Sequence, residues 1–527
     1  MTDAPDLAEL AEVYRGLHAH PELAFAEHRT AAIIAARLRD LGYQTTPGVG
    51  RTGVVGVLAN GAGPTVLLRA DMDALPVLEQ TGLAHASAVR AKDADGRDVP
   101  VMHACGHDMH VTCLLGAAAE LAAGAGTWRG TLMLVFQPAE ETGEGARAMI
   151  DDGLFDRFGA PDIVLGQHVS PMPAGVLGVH PGPAFAAADT LRVVLHGLGG
   201  HGSRPEAAVD PIVMAAATVL RLQGIVSREL AAGDTAVVTV GALHAGTMPN
   251  IISDQAELLL SVRTFDDAVR DKTLKAIDRI VAAEAAASGA PRDPEIASMG
   301  TFPVVVNDAA ACTRLTDVFN GGVGLVLDPG PVTGSEDVGV LATAAGVPCG
   351  YWLLGSADPA LFAGITTLDE ARSIVDGLPA NHSPLFAPVV DQTLRTGIAA
   401  LTTAARAWLA PGDDLSDVVD FVGFDGDQKS RLVAAAVPWV RGAQVALGQL
   451  LDMVSRAVRG HVQDPTADRE VPVGFSGSET VRATRGSRSM FLIFWNPATL
   501  LIRMCSPSVS TQVWVCWGEP SGIKVDR

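Results

Sequence analysis

Basic residues are scarce in this chain: 38 lysines and arginines stand against 59 aspartates and glutamates, a formal net charge of -21 over 527 residues. A surface of that sign repels polyphosphate, which argues against nucleic acid as a partner. Long apolar runs are absent too. No stretch approaches the roughly 20 uncharged residues that a membrane helix needs. The opening Met1-Thr2-Asp3-Ala4-Pro5-Asp6 lacks the basic-then-apolar order of an export signal. Neither a membrane nor export is expected, and the expected compartment is the cytoplasm. Cysteine is sparse: Cys105, Cys113, Cys312, Cys349, Cys505 and Cys516 show no disulfide-framework spacing.

What remains is ample apolar material, 48% of residues, in a chain long enough for two or three domains. Leu7 to Leu17 and His28 to Leu41 read as helices, the second stopped by Gly42. Val54 to Leu58, Val66 to Leu68, Thr131 to Phe136 and Ile163 to Gly166 read as strands, with an apolar helix at Met109 to Ala122. This alternation is α/β grammar. The spacing Gly48-x-Gly50-x-x-Gly53 fits a dinucleotide fingerprint, but that motif needs a strand before it and a helix after it. Here a helix precedes and a strand follows, so no nucleotide cofactor is expected.

The densest chemistry lies in His103-Ala104-Cys105-Gly106-His107-Asp108-Met109-His110. A thiol and an imidazole two residues apart reach one point only where the chain turns, and Gly106 permits that turn. Three further clusters follow apolar runs: Gln137-Pro138-Ala139-Glu140-Glu141, Gly166-Gln167-His168, and Asn381-His382-Ser383-Pro384. Taken singly, each has a plain structural reading as a polar loop or a core histidine. Their shared position after strands points to one site, because open parallel sheets build ligand sites at strand carboxyl ends. Adjacent Glu140 and Glu141 project in different directions, so one can ligate a cation while the other faces a water. Asp71 and Asp73 read equally well as turn-capping groups or as carboxylates that orient a ligand.

Ala187 to Ser298 changes pattern: strand Leu191 to Leu195, helix Pro211 to Leu230, strands Ala236 to Val240 and Ala256 to Val262, helix Ala268 to Ala286, and a strand near Glu295 to Met299. That is the split βαβ order. On spacing alone, His201 sits in a Gly199 to Gly202 turn, Asn250 is a capping residue, and Arg263 is a surface strand charge. The α/β grammar returns with helix Ala309 to Phe319, a Gly334-Ser-Glu-Asp337 loop, strand Gly350 to Leu354 and helix Asp391 to Leu409.

The segments LHAHPEL from Leu17, RTGVVGVL from Arg51, LRADMDALP from Leu68, MHACGHDMH from Met102, FQPAEE from Phe136, GGHGSRP from Gly199, VRTF from Val262, GSED from Gly334 and NHSP from Asn381 together resemble a known family. It is the hippurate hydrolase and auxin-conjugate hydrolase branch of the dinuclear aminoacylase and carboxypeptidase superfamily. The resemblance implies a discontinuous zinc-peptidase-like α/β/α catalytic domain, residues 1–186 and 300–410. A ferredoxin-like α+β satellite domain for dimerisation, residues 187–299, would be inserted in it. It further implies Cys105, His107, Glu141, His168 and His382 as ligands of two divalent ions, Cys105 bridging, with Glu140 as general base. Asp71 and Asp73 would orient ligands, His201 would serve the substrate oxyanion, often across the dimer interface, and Asn250 and Arg263 would hold the substrate carboxylate or amide. His103 and His110 match no ligand position and are read as structural. The donor set suits zinc, manganese, cobalt or nickel, and its thiolate calls for a reducing compartment.

The implied reaction is amide hydrolysis of N-acyl or N-aroyl amino acids by a homodimer. Dipeptidase or carboxypeptidase activity at the same two-metal site, and a non-catalytic binding protein on the same scaffold, stand beside it. Val338 and Ser253 depart from the family pattern near the substrate pocket, which leaves substrate identity open. The resemblance ends at Ala410-Pro411-Gly412-Asp413-Asp414, a linker signal. In the extension 411–527, of unknown role, Asp427 to Val458 reads as amphipathic helix and Asp464 to Arg488 as polar loop. Met490 to Trp517 alternates apolar runs with breakers.

Overall fold

Two runs rich in apolar residues form strands buried on both faces: Thr65–Asp71 and Gly130–Gln137 are buried almost throughout. The computed structural model describes residues 6–409 and five later strands within 471–518. Four strands at the centre of an eight-stranded sheet are parallel neighbours: Gly130–Gln137, Thr65–Asp71, Ile163–Pro173 and Cys349–Ala357. Antiparallel Gly53–Asn60 and Gln44–Val49 extend one side. Val176–Gly178 and Leu325–Leu327 extend the other.

Successive side chains of a strand point to opposite faces, so Leu67 and Leu68 enter different cores. Leu68 packs with helices Leu7–His18, His28–Asp40, His107–Ala123, Ala309–Asn320 and Val390–Leu409. Leu67 packs on the other face with Ala146, Met149, Leu154 and Leu341. The α/β/α layering expected from the alternation is therefore present.

The chain between the two halves of this sheet builds a second sheet. Its strands run in the order Ala236–Ala245, Gln255–Thr264, Ala187–His196, Glu295–Phe302, all antiparallel. Helices Pro211–Gly224 and Asp267–Ala287 pack on it through Met214, Leu222, Ile277 and Val281. Each helix begins at an aspartate whose side chain accepts from its first turn, Asp210 from the Ile212 amide and Asp266 from those of Ala268 and Val269. This is the ferredoxin-like order.

Several expectations need correction. The strand at Ile163 runs on to Pro173, because Gln167, His168 and Val169 pair with Trp352, Leu353 and Leu354; backbone pairing overrides the polar side chains. The segment before Gly53 is strand Gln44–Val49, so the glycine-rich stretch is the turn of a β-hairpin. The helix from Pro211 ends at Gly224 and gives way to a wider turn at Ile225–Glu229. In the expected loop 464–488, Thr480–Gly486 is a strand held by register with Ser489–Phe494. It belongs to a five-stranded antiparallel meander within residues 437–527. The helical reading of Asp427 to Val458 lies outside the described residues.

Candidate metal centre

The turn between Cys105 and His107 is forced by Gly106, whose φ of 82° and ψ of 25° are left-handed. A Cβ there would also lie 2.5 Å from Val169 Cγ2. Glycine thus lets the turn close against the strand that carries His168. The second loop arrives through His382, whose amide donates to the Ala104 carbonyl at 2.8 Å. Both this loop and the glutamate loop hold non-glycine residues at positive φ, His382 at 71° and Ala139 at 49°. Such backbone persists only where the surroundings enforce it.

These loops bring all five predicted ligand residues together. Cys105 Sγ lies 3.5 Å from His168 Nε2, and His107 Nε2 lies 3.8 Å from both Glu140 Oε2 and Glu141 Oε1. His382 Nε2 lies 3.4 Å from Glu141 Oε2. Ligand atoms of Cys105, His107 and His168 fall within 4.8 Å of one another, as do those of Cys105, Glu141 and His382. Cys105 is the vertex the two triads share. Asp73 ties them: its Oδ1 receives His107 Nδ1 at 3.2 Å and its Oδ2 receives the Glu141 amide at 3.0 Å. That leaves His107 Nε2, with Glu141 Oε1, buried and without a hydrogen bond.

Charge in the cluster is lopsided. Burial, then Glu336 and Glu141, push the Glu140 carboxyl well above its ordinary range. Burial pushes Glu141 up to about 8 despite His107, and burial with Glu141 and Glu140 nearby pushes the Cys105 thiol up. Burial would lower His107, yet Asp71 and Asp73 raise it to about 10. Burial and His110 hold His168 well below the usual imidazole range. Crowded donors that repel one another, two of them with orphaned buried atoms, fit divalent cations, which would neutralise the excess.

One set of residues was not singled out from sequence. Arg69, fully buried, donates from Nη1 to Asp71 at 2.7 Å and from Nη2 to Glu336 at 2.7 Å and Asp337 at 3.0 Å. Burial alone would raise Asp71, but Arg69, His107 and His110 hold it well below the carboxylate range. Asp337, pushed by burial up to about 7, accepts from Gln137 Nε2 and the Ala146 amide. The visible signal was an arginine directly after the apolar run Val66-Leu67-Leu68, since a charge in a two-sided buried strand demands partners.

The predicted substrate residues divide. Arg263, half-buried, donates to Ser335 Oγ; burial, then His107 and Arg263, hold His382 below the usual imidazole range. His201 and Asn250 are exposed at one corner of the four-stranded unit. His201 Nδ1 accepts from the Ser203 amide, and the Asn250 carbonyl accepts from Gly202. The structure does not bring these two to the cluster.

A cluster of thiol, imidazole and carboxylate on this α/β/α layering has the donor set of a divalent-metal centre, the kind of site that metal-dependent hydrolases use. The chain belongs to Peptidase family M20/M25/M40, whose profile matches residues 67–377. It is 36% identical over 352 residues to thermostable carboxypeptidase 1 of Saccharolobus solfataricus, covering 66% of this chain and 86% of that one. It is 39% identical over 336 residues to the hippurate hydrolase of Campylobacter jejuni, covering 63% and 84%. In three dimensions it resembles the Bacillus subtilis YXEP protein, a dinuclear metal binding peptidase, with a TM-score of 0.60 at 27% identity over 76% of this chain and 99% of that one. No helix among the described residues is long and apolar enough to cross a membrane.

Proposed function

We propose that this hydrolase cleaves the amide of N-acyl or N-aroyl amino acids at a centre of two divalent ions. Cys105, His107, Glu141, His168 and His382 would hold them, with Cys105 shared. The observation that carries this reading is the pair of triads meeting at Cys105. Once bound, the ions supply Lewis-acid polarisation of the amide carbonyl and a water of lowered pKa. Glu140, buried beside the cluster and outside both triads, takes a proton from the attacking water and delivers it to the departing amine nitrogen. The Arg263 guanidinium, fixed on Ser335, offers a partner for the substrate carboxylate.

His201 and Asn250 complete the site from a second copy of the chain. In support, their corner carries exposed Leu198, Met248 and Ile251, and the adjoining helix and edge strand expose Ile212, Val213, Leu220, Val237 and Leu243. Large apolar side chains left exposed in this number favour a protein contact. A reducing, cytoplasmic setting suits the Cys105 thiolate.

The test is to reconstitute the protein with zinc, manganese, cobalt or nickel, and compare wild type with Glu140→Gln on acyl amino acids and free dipeptides. Hydrolysis of the blocked amino acids, abolished by Glu140→Gln at unchanged metal content, is the expected result. Turnover of free dipeptides alone would shift the reading to a peptidase. Two bound ions with no turnover by either form would leave a binding protein.

A further inference from the structure

Three of the proposed ligand residues are tied to the backbone of Val169, His168 directly and Cys105 and His382 through Asn381. The Val169 carbonyl accepts from His168 Nδ1 at 2.7 Å and from Asn381 Nδ2 at 3.2 Å. The Val169 amide donates to His110 Nε2 at 2.8 Å. Asn381 Nδ2 also donates to the Cys105 carbonyl at 3.1 Å and lies 4.0 Å from Cys105 Sγ. His382 follows Asn381 directly.

Hydrogen-bond polarity then assigns both rings. An amide can only donate, so His110 Nε2 is the acceptor and the ring proton sits on Nδ1, pointing at Asp71 Oδ1 at 2.5 Å. Asp71 is in turn held by Arg69. For His168 the carbonyl demands a proton on Nδ1, leaving the Nε2 lone pair facing Cys105. His110 also packs its ring edge-on against His168, centroids 4.7 Å apart at 68°. His110 is buried and Asn381 half-buried.

We propose that His110 and Asn381 are positioning residues that clamp the Val169 backbone, one at its N–H and the other at its C=O, and thereby hold His168 in the tautomer and orientation that ligate a metal. Neither is among the five residues proposed as ligands. The inference rests on the metal-centre reading above. Fixing the non-ligating nitrogen of a ligand histidine is the usual means of aiming the other.

The experiment measures cobalt(II) affinity by competition with a chromophoric chelator, together with the cobalt absorption spectrum, for wild type, His110→Ala, His110→Gln and Asn381→Ala. Unfolding temperatures of the metal-free forms report folding separately. Loss of either clamp residue is expected to weaken binding roughly 10- to 100-fold and change the spectrum. His110→Gln, whose amide can accept from Val169 and donate to Asp71, and added imidazole with His110→Ala, are expected to recover much of the loss. A purely structural role would lower unfolding temperature and leave affinity alone. Folded variants that bind cobalt as tightly as wild type, with the same spectrum, overturn the clamp. If His110→Ala does not fold, Asn381→Ala and His110→Gln decide by the same readouts. A wild type that holds no cobalt overturns the metal centre and the clamp together, which separates the two failures.

Discussion

Arg69 and Arg270 both grip acidic partners, but in different settings. Arg69, under the strand-end cluster, has no exposed side-chain surface and serves Asp71, Glu336 and Asp337 at once. Arg270, in the four-stranded unit, holds Asp189 with 27% of its side chain in solvent. Apolar surface is distributed the other way: the same unit exposes 65% of Val213 and 76% of Leu220. The eight-stranded sheet thus buries charge, and the four-stranded unit leaves hydrocarbon outside. Desolvated charges stay only when fully paired, so the first region tolerates little change and the second much more.

Breaking the chemistry of the first region should give the largest effect. Glu140→Gln is expected to lower kcat by about 10²- to 10⁴-fold while bound metal, read by mass spectrometry, stays at the wild-type level. Next, Arg69→Met should destabilise the fold by about 3–5 kcal/mol in urea unfolding, because three carboxylates lose their counter-charge. Arg270→Met should do so by about 1 kcal/mol. Equal losses would erase the contrast between the regions.

Glu27 sharpens the same point through pH. Its carboxylate accepts from the Ala139 and Phe25 amides and from Thr52, yet burial and Asp73 raise it to about 7. A raised carboxyl binds its proton more tightly folded than unfolded, so it contributes stability below its unfolded pKa that is lost as pH rises through about 7. In metal-stripped protein this loss is on the order of 2–3 kcal/mol, and Glu27→Gln should flatten that part of the stability–pH curve. The smallest change in stability belongs to the apolar face. Val213→Glu with Leu220→Glu should shift unfolding free energy by only about 0.5 kcal/mol while halving the mass seen by light scattering.

The motifs made much of this legible before any coordinates. Glu140 and Glu141 were readable because they follow the apolar strand Gly130–Gln137, whereas His168 lies inside strand Ile163–Pro173 and His382 follows helix Leu368–Gly377, so motif and not a place after a strand made those two legible. Strand Gln44–Val49 was not, because Pro47 and Gly48 mask it and only pairing with Gly53–Asn60 makes it a strand. Two partners of Arg69, Glu336 and Asp337, lie 267 and 268 residues away in sequence, so no local pattern names them. His110 carried no signal of its role, since its bond to Val169 exists only once helix His107–Ala123 meets strand Ile163–Pro173. His201 and Asn250 were readable as a motif but not as a location.

The most direct test of the central claim is metal stoichiometry after reconstitution, compared between wild type and Cys105→Ala. If Cys105 joins two triads, wild type should carry two ions per chain and the variant should lose tight binding at both positions. A chain that carries none, or a variant that keeps both ions at undiminished affinity, would contradict it.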